Sequence, residues 1–137
     1  SGWWEDQLRS YATDNVVFHG QVTEDYKHAL LARADVHLMP SRKEGWGLAV
    51  MEAALHQVPT IGYRHSGGLR DSIEHNVTGV LVSDEMELTT ELHDLLHNPH
   101  RRTQLGRAAA EKAQSYSWEE TGRCLAKKLY AMGNANQ

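Results

Sequence analysis

Short apolar runs alternate with helical patterns along the chain, and this alternation limits the possible fold more than any other feature. Four runs are typical of buried strands: VVFHG (16–20), VHLMP (36–40), PTIGY (59–63) and GVLVSD (79–84). Apolar spacing and capping residues predict helices at 3–13, 23–34, 47–57, 85–97, 99–114 and 117–132, and residues 66–76 are predicted to form a glycine turn and a short helix. Parallel strands need such crossover helices, so we predict an α/β fold: a Rossmann-like parallel sheet with flanking helices.

Composition narrows the class of protein. The 137 residues make up one domain's worth of sequence, and the net charge of -4 argues against a nucleic-acid partner, which requires a basic face. No apolar stretch approaches the roughly 18 residues of a membrane span. The single cysteine, Cys124, excludes an internal disulfide and fits a reducing compartment, so we expect a cytoplasmic protein.

The stretch SRKEGWGLAVMEA (41–53) follows the second predicted strand and leads into a helix. Ligands of parallel sheets bind at the carboxyl ends of the strands, which is where this stretch lies. Its glycines allow a close approach of the backbone and a positive φ where one is needed. The N–H groups of Gly47, Leu48 and Ala49 would point out of the helix start and attract an anion, most often phosphate.

Two carboxylates flank this predicted anion site. Glu44, in the loop, could accept hydrogen bonds from the hydroxyls of a sugar. Glu52, about 7.5 Å along the helix axis from Gly47, could reach a second diol such as a ribose. Together they fit a ligand of the form sugar–phosphate–ribose. Spacing alone leaves open the alternative of a solvated loop residue and a helix-surface charge.

The same stretch resembles the E-x7-E motif of retaining glycosyltransferases of family 4, which have the GT-B fold. Other segments agree with that family in order and spacing over nearly all of residues 14–130: DNVVFHGQV, ARADVHLMPSRKEGWGLAVMEA, VPTIGY, GGLRDSI, NVTGVLV and YSWEETGRCL. The resemblance implies binding of a nucleotide diphosphate sugar, without a metal or other cofactor. It also implies transfer of the sugar to an acceptor hydroxyl with retention of anomeric configuration.

The resemblance also assigns roles to individual residues. Glu44 would be the catalytic residue that contacts the transferred sugar, and Glu52 would hold the ribose hydroxyls. The backbone around the sugar and the diphosphate would come from Gly45, Trp46, Gly47 and Leu48, joined by Ala49 at the helix start. The nucleobase would be bordered by Val22, Glu24 and Lys27.

Two departures from the family pattern are visible. Trp46 stands where the family more often has Phe, and Arg70-Asp71 replaces a frequent Pro-Glu after the glycine pair Gly67-Gly68. With Trp46 in place of Phe, the position keeps an aromatic side chain as a wall of the site. Because Arg70-Asp71 differs from the family pattern, the resemblance implies nothing for this region beyond a Gly67-Gly68 turn that faces the cleft.

The resemblance also bears on domain organisation. Family donor domains begin with two further β-α units, and the enzymes carry an N-terminal acceptor domain. Residues 1–137 are therefore expected to be a partial C-terminal donor-binding domain, inactive alone. The two absent strands would lie between VVFHG and VHLMP, so we expect VVFHG either to pair with VHLMP or, in the interpretation we favour, to be covered by a second copy or a companion segment. The full-length enzyme could lie at the membrane periphery.

Two alternatives to this interpretation stay open. The first is a non-catalytic binding or scaffold module derived from the same fold, which donor hydrolysis would distinguish from an enzyme. The second concerns His93 and His97, which have metal-ligand spacing on a predicted helix, although we predict a solvated helix face and no metal there. The sugar, the nucleobase and the acceptor are not specified by the sequence.

Overall fold

The computed structural model describes residues 6–7, 10, 13–40 and 47–116, and from Glu24 onward the described helices and strands follow one another in the predicted order. The elements are α1 (Glu24–Arg33), β1 (His37–Met39), α2 (Leu48–Leu55), β2 (Thr60–Tyr63), α3 (Leu69–Ser72), β3 (Gly79–Val82), α4 (Glu85–His97) and α5 (Pro99–Tyr116). Of the predicted helix 3–13, residues 6, 7 and 10 are helical and residue 13 is irregular. The loop 41–46 and the predicted helix 117–132 lie outside the described residues.

The strands form one parallel sheet in the order β1-β2-β3. Ile61 in β2 is in register with Leu38 in β1 and with Val80 in β3. The predicted strands 36–40, 59–63 and 79–84 are therefore confirmed, and so is the α/β Rossmann-like fold class. All residues of β2 and β3 are buried, as expected for a sheet with helices on both faces.

The two faces of the sheet carry separate cores, because successive side chains of a strand point to opposite faces. One core joins strand residues to the helices α4 and α5: Ile61, Tyr63, Val80, Val82, Leu95 and Leu105. The other joins strand residues to α2 and to the region of α3: Leu81, Met39, Val50, Leu69 and Ile73. Burying each large side chain stabilises the fold by roughly 1.5–3 kcal/mol.

The long helix α5 also packs on α2 through small side chains. Ala54 of α2 lies against Ala109 and Ala113 of α5, with Met51 packed on the same cluster. At Gly106 the two backbones come so close that a Cβ atom would overlap the carbonyl oxygen of Gln57. This contact fixes the far end of α2 and leaves its first turn at the carboxyl edge of the sheet.

The prediction of a strand at VVFHG is wrong. Residues 16–20 are irregular, and Val16 and Val17 are 49% and 69% exposed. The N–H of Val16 donates to the carbonyl of Thr13 at 3.0 Å. Because this N–H is engaged in a local turn, it is not available for a hydrogen bond to a neighbouring strand. A β-branched run becomes a strand only beside another strand, and within the described residues β1 pairs with β2 alone.

Direct pairing of VVFHG with VHLMP is therefore also wrong, and coverage of this edge by a second chain stays a prediction. Within the described ranges, no helix combines the length and the apolar character that crossing a bilayer requires.

Candidate functional site

The start of α2 has no side-chain cap among the described residues, with Gly47 buried and Leu48 exposed. Gly47, which precedes the helix, is in the left-handed conformation with φ 80 and ψ 50. The N–H of Val50 makes the first intrahelical bond, to the carbonyl of Gly47 at 3.0 Å. The N–H groups of Leu48 and Ala49 therefore precede the helical ladder. No described side chain caps this start, and its first turn carries no acidic residue.

Glycine is required at position 47 for two reasons. A positive φ of this size is unfavourable for any residue with a Cβ atom. A Cβ atom would also lie 2.8 Å from Oγ of Ser72 and 3.5 Å from the side chain of Leu69, both in α3. Ser72 is held by donating its hydroxyl to the carbonyl of Gly68 at 3.2 Å. The turn that contains Gly68 is thereby placed against the start of α2.

Glu52 lies on α2 and is joined to α1 by a lysine. Nζ of Lys27 lies 2.8 Å from Oε2 of Glu52 and 3.0 Å from Oε2 of Glu24. The hydrogen bond to Glu52, followed by the one to Glu24, raises the pKa of Lys27 above its usual value. The ammonium group therefore stays charged between the two carboxylates. Glu52, predicted as the ribose contact, thus meets Lys27 and Glu24, which were predicted to border the nucleobase.

Two histidines that the sequence interpretation missed lie beside this ion pair. Nδ1 of His28, in α1, is 2.9 Å from Nε2 of His56, which ends α2. One ring nitrogen of His28 and one carboxylate oxygen each of Glu24 and Glu52 lie within 4.8 Å of one another. The signal available in the sequence was the Glu-x3-His spacing, which occurs in both helices, because residues four apart share a helix face.

Some of the other predicted site residues lie in the described part of the chain, and some lie outside it. Val22 precedes α1 and is 37% exposed, and Leu48 is 59% exposed at the start of α2. Glu44, Gly45 and Trp46 lie outside the described residues.

An open cleft of about 420 Å³ adjoins the carboxyl ends of β2 and β3 on the same edge of the sheet. The ring of Tyr63, the last residue of β2, stacks on that of His65 with centroids 5.4 Å apart. The sequence analysis did not identify this cleft, which has both apolar and acidic walls. Its lining residues are Tyr63, His65, Ser83, Asp84, Glu85 and Met86.

Comparison with known proteins gives one matching family. The family described as "Glycosyl transferases group 1" has a sequence model that matches residues 4–112. The sulfoquinovosyl transferase SQD2 of Arabidopsis thaliana is 31% identical over 132 residues, which are 93% of this chain and 26% of that protein. The chain thus spans about a quarter of the length of this curated relative.

Solved structures that share the fold include the following two. Sucrose-phosphate synthase from Thermosynechococcus elongatus superposes with a TM-score of 0.78 and 28% identity, over 98% of this chain and 34% of that chain. Anabaena HepE, solved in complex with UDP-glucose, superposes with a TM-score of 0.72 and 21% identity, over 93% of this chain and 36% of that chain. The second likeness bears on the fold alone.

Proposed function

Because the chain belongs to the family of glycosyl transferases group 1, we propose that it binds the donor of a retaining glycosyltransferase of family 4. The donor is a nucleotide diphosphate sugar, and the full-length enzyme transfers the sugar to an acceptor hydroxyl with retention of configuration. Because this chain spans 26% of the Arabidopsis relative, the proposal assigns donor binding to it and turnover to the longer protein.

The observation that carries the proposal is the start of α2, which no described side chain caps. A helix start holds roughly half a positive charge, and its first N–H groups lack partners inside the helix. Here the N–H groups of Leu48 and Ala49 precede the helical ladder of α2, and no described side chain caps them. A diphosphate would accept hydrogen bonds from these groups.

This arrangement also supports a role in the reaction. When the bond between the sugar and the diphosphate breaks, negative charge builds up on the leaving oxygen. Donors that are fixed before the reaction stabilise this charge without reorganising, and they do so more strongly away from bulk water. We assign this task to the first turn of α2, and the transfer would proceed by attack on the front face of the sugar.

Glu52 is the proposed ligand of the ribose. Its carboxylate is half-buried and is already oriented by Lys27 at 2.8 Å, so one oxygen is engaged with the ammonium. The remaining acceptor positions would receive the ribose hydroxyls, because a carboxylate has about four lone-pair sites. Lys27 and Glu24 would then lie next to the nucleobase, as would Val22.

Glu44 is the proposed contact of the transferred sugar, with the backbone of Gly45 and Trp46 beside it. This part of the proposal depends on the resemblance to family 4, since these three residues lie outside the described part of the chain.

Isothermal titration tests donor binding directly. The chain should bind UDP, GDP or ADP more tightly than the matching nucleoside, because only the diphosphate reaches the start of α2. Inorganic pyrophosphate should compete weakly. Equal affinity for a nucleoside and its diphosphate would contradict the proposal. A luminescent assay of released nucleotide, run on the full-length protein, then separates an enzyme from a non-catalytic binding module.

A further inference from the structure

The facing sides of α1 and α2 carry a repeated pattern that donor binding does not use in full. Glu24 and His28 are one turn apart in α1, and Glu52 and His56 are one turn apart at the end of α2. The two pairs face each other, since His28 contacts His56 and Lys27 joins both carboxylates. Two oxygen ligands and one imidazole thus converge at the side of the proposed ribose contact.

We propose that Glu24, His28 and Glu52 bind a divalent transition-metal ion, with Zn²⁺ as the preferred occupant, and that the bound ion withdraws Glu52 from the donor. The second half of this inference rests on the proposed function, because it requires Glu52 to hold the ribose. The ion is not a cofactor of the transfer. It would act as an inhibitor that competes with the nucleotide.

The ligand atoms are close enough to converge on one ion. They lie within 4.8 Å of one another, whereas a tetrahedral zinc ion with bonds of about 2.0–2.1 Å holds its ligands roughly 3.3 Å apart. The site must therefore contract by about 1.5 Å at most. Glu24 can supply this movement, because its side chain is 76% exposed and lies in the first turn of α1.

The contact between His28 and His56 orients the imidazole for metal binding. The two nitrogens are 2.9 Å apart, so one ring donates and the other accepts. When Nδ1 of His28 carries the proton, Nε2 of the same ring keeps its lone pair for an ion. Histidines that bind metals usually donate their other N–H to such a partner, which fixes the tautomer and the ring orientation. His56 is accordingly a positioning residue.

The position of Lys27 indicates that a cation is favoured between the two carboxylates. A metal ion would have to compete with its ammonium group for this position. Its ammonium lies 2.8 Å from Glu52 and 3.0 Å from Glu24, so it occupies the space between the two carboxylates. A divalent ion would displace it, and both carboxylates would exchange a single positive charge for a double one. Removing the ammonium should therefore strengthen metal binding.

The ligand set favours zinc over the hard divalent ions. Imidazole suits Zn²⁺, Cu²⁺ and Ni²⁺, whereas Mg²⁺ prefers oxygen ligands in octahedral geometry. Three protein ligands leave a fourth position of a tetrahedral ion for water. The stacked pair His93 and His97, with centroids 4.2 Å apart, belongs to no comparable group among the described residues. That pair on α4 serves as the matched control.

Zn²⁺ affinity is measured by competition with a chromogenic chelator. The untagged chain is used in a Cys124→Ser background, so that no thiol contributes. We expect one Zn²⁺ per chain, no binding of Mg²⁺, and a loss of about tenfold or more in His28→Gln and in Glu24→Gln. His56→Gln should weaken binding to a similar or smaller degree, and Lys27→Met should tighten it.

The control separates this site from a general histidine effect. The double variant His93→Gln, His97→Gln should keep the Zn²⁺ affinity of the parent chain. Loss of affinity in that variant alone, or unchanged affinity in both His28→Gln and Glu24→Gln, would overturn the metal site. Circular dichroism verifies that each variant is folded, and exposed Glu24 provides a second test if His28→Gln fails to fold.

Nucleotide titrations then test the competition. Zn²⁺ should lower the affinity of the parent chain for UDP and leave that of His28→Gln unchanged. UDP binding that is insensitive to Zn²⁺ in the parent chain would overturn the competition and leave donor binding intact. If UDP does not bind even without Zn²⁺, the proposed function fails together with the competition, and the metal site is decided by the Zn²⁺ titration alone.

Discussion

Two helices begin at the same edge of the sheet, and their first turns are built in opposite ways. α4 begins at Asp84, whose carboxylate accepts the N–H of Glu87 at 2.8 Å, while the carboxylate of Glu87 accepts the N–H of Ser83 at 2.9 Å. Glu85 adds a further negative charge to this turn. α2 begins at Gly47 with no described side-chain cap and no acidic residue in its first turn.

The difference shows which start is available to a ligand. Side-chain caps satisfy the first N–H groups of a helix, and acidic residues neutralise its positive end. α4 has both and would repel an anion. Among the described residues α2 has neither, so a ligand could supply the partner of its first N–H groups. The four predictions that follow would sharpen or break this contrast, in order of decreasing expected effect.

Removal of the Glu52 carboxylate should have the largest effect on binding. Glu52→Ala should weaken nucleoside diphosphate binding by roughly 1.5–3 kcal/mol if both ribose hydrogen bonds are charge-assisted. Isothermal titration with UDP and with its 2′-deoxy analogue measures this. The parent chain should distinguish the two nucleotides, and the variant should not.

Glu44 provides the matched comparison. Glu44→Ala should leave nucleoside diphosphate affinity nearly unchanged and lower turnover in the full-length enzyme, because only the sugar contacts this residue in our proposal. An equal loss of nucleotide affinity in the Glu44 and Glu52 variants would contradict this division of roles.

A charge at the start of α2 should make it resemble α4. Leu48 is exposed and takes the same helical position as Glu85. Leu48→Glu should weaken diphosphate binding by roughly 1–3 kcal/mol through repulsion at an effective dielectric constant of about 20. Stability should not fall, because a carboxylate is favourable at a helix start.

The uncharged control is Leu48→Gln, which should keep the affinity for UDP. The converse change, Glu85→Leu at the start of α4, should also leave UDP binding unaltered. If Leu48→Glu and Leu48→Gln weaken binding equally, size and not charge is responsible, and the contrast between the two helix starts loses its meaning.

The left-handed glycine should matter for stability as well as for binding. Gly47→Ala should reduce the free energy of unfolding by roughly 1–2 kcal/mol for the backbone conformation alone. The contact of the new Cβ with Ser72, at 2.8 Å, adds to this. Urea denaturation measures the loss. Gly67→Ala is the control, because a Cβ at Gly67 meets nothing within 4 Å, and that variant should be as stable as the parent.

The smallest expected effect is a pH dependence of the stability of the fold. It arises from His37 in β1, the strand before α2. Burial lowers the pKa of His37, partly opposed by the charge of Glu52, and His37 is hydrogen-bonded to Oγ1 of Thr60 at 3.0 Å. The unfolded chain then takes up the proton more readily than the folded one. Stability should therefore fall as the pH drops below about 6.5.

The variant His37→Gln should lose part of this slope in urea denaturation between about pH 7.5 and 5. β3, the strand before α4, contains no titratable residue. The same substitution at exposed His93 controls for the general effect of losing a histidine. A parent chain that gains stability on acidification through this range would contradict the prediction.

Sequence patterns predicted the parts of this fold that depend on local signals. The strand at 59–63 and the helix at 85–97 are found within one residue of their predicted bounds. VVFHG failed because strand formation depends on a neighbouring strand and not on β-branched residues alone.

The site shows the same division. The sequence indicated that the glycines of 41–53 allow a positive φ, and the structure has one at Gly47. The ion pair of Lys27 with Glu52 joins residues 25 positions apart in sequence and requires α1 to pack on α2. The contact between His28 and His56 was missed for the same reason.

The most direct test of donor binding at the start of α2 is a chemical-shift map of the backbone amides. On addition of UDP or GDP, the changes should centre on residues 44–52 and spare the capped start of α4 at residues 84–88. Changes confined to α4, whether at its start or around His93 and His97, would show that the anion binds elsewhere and would contradict the proposed site.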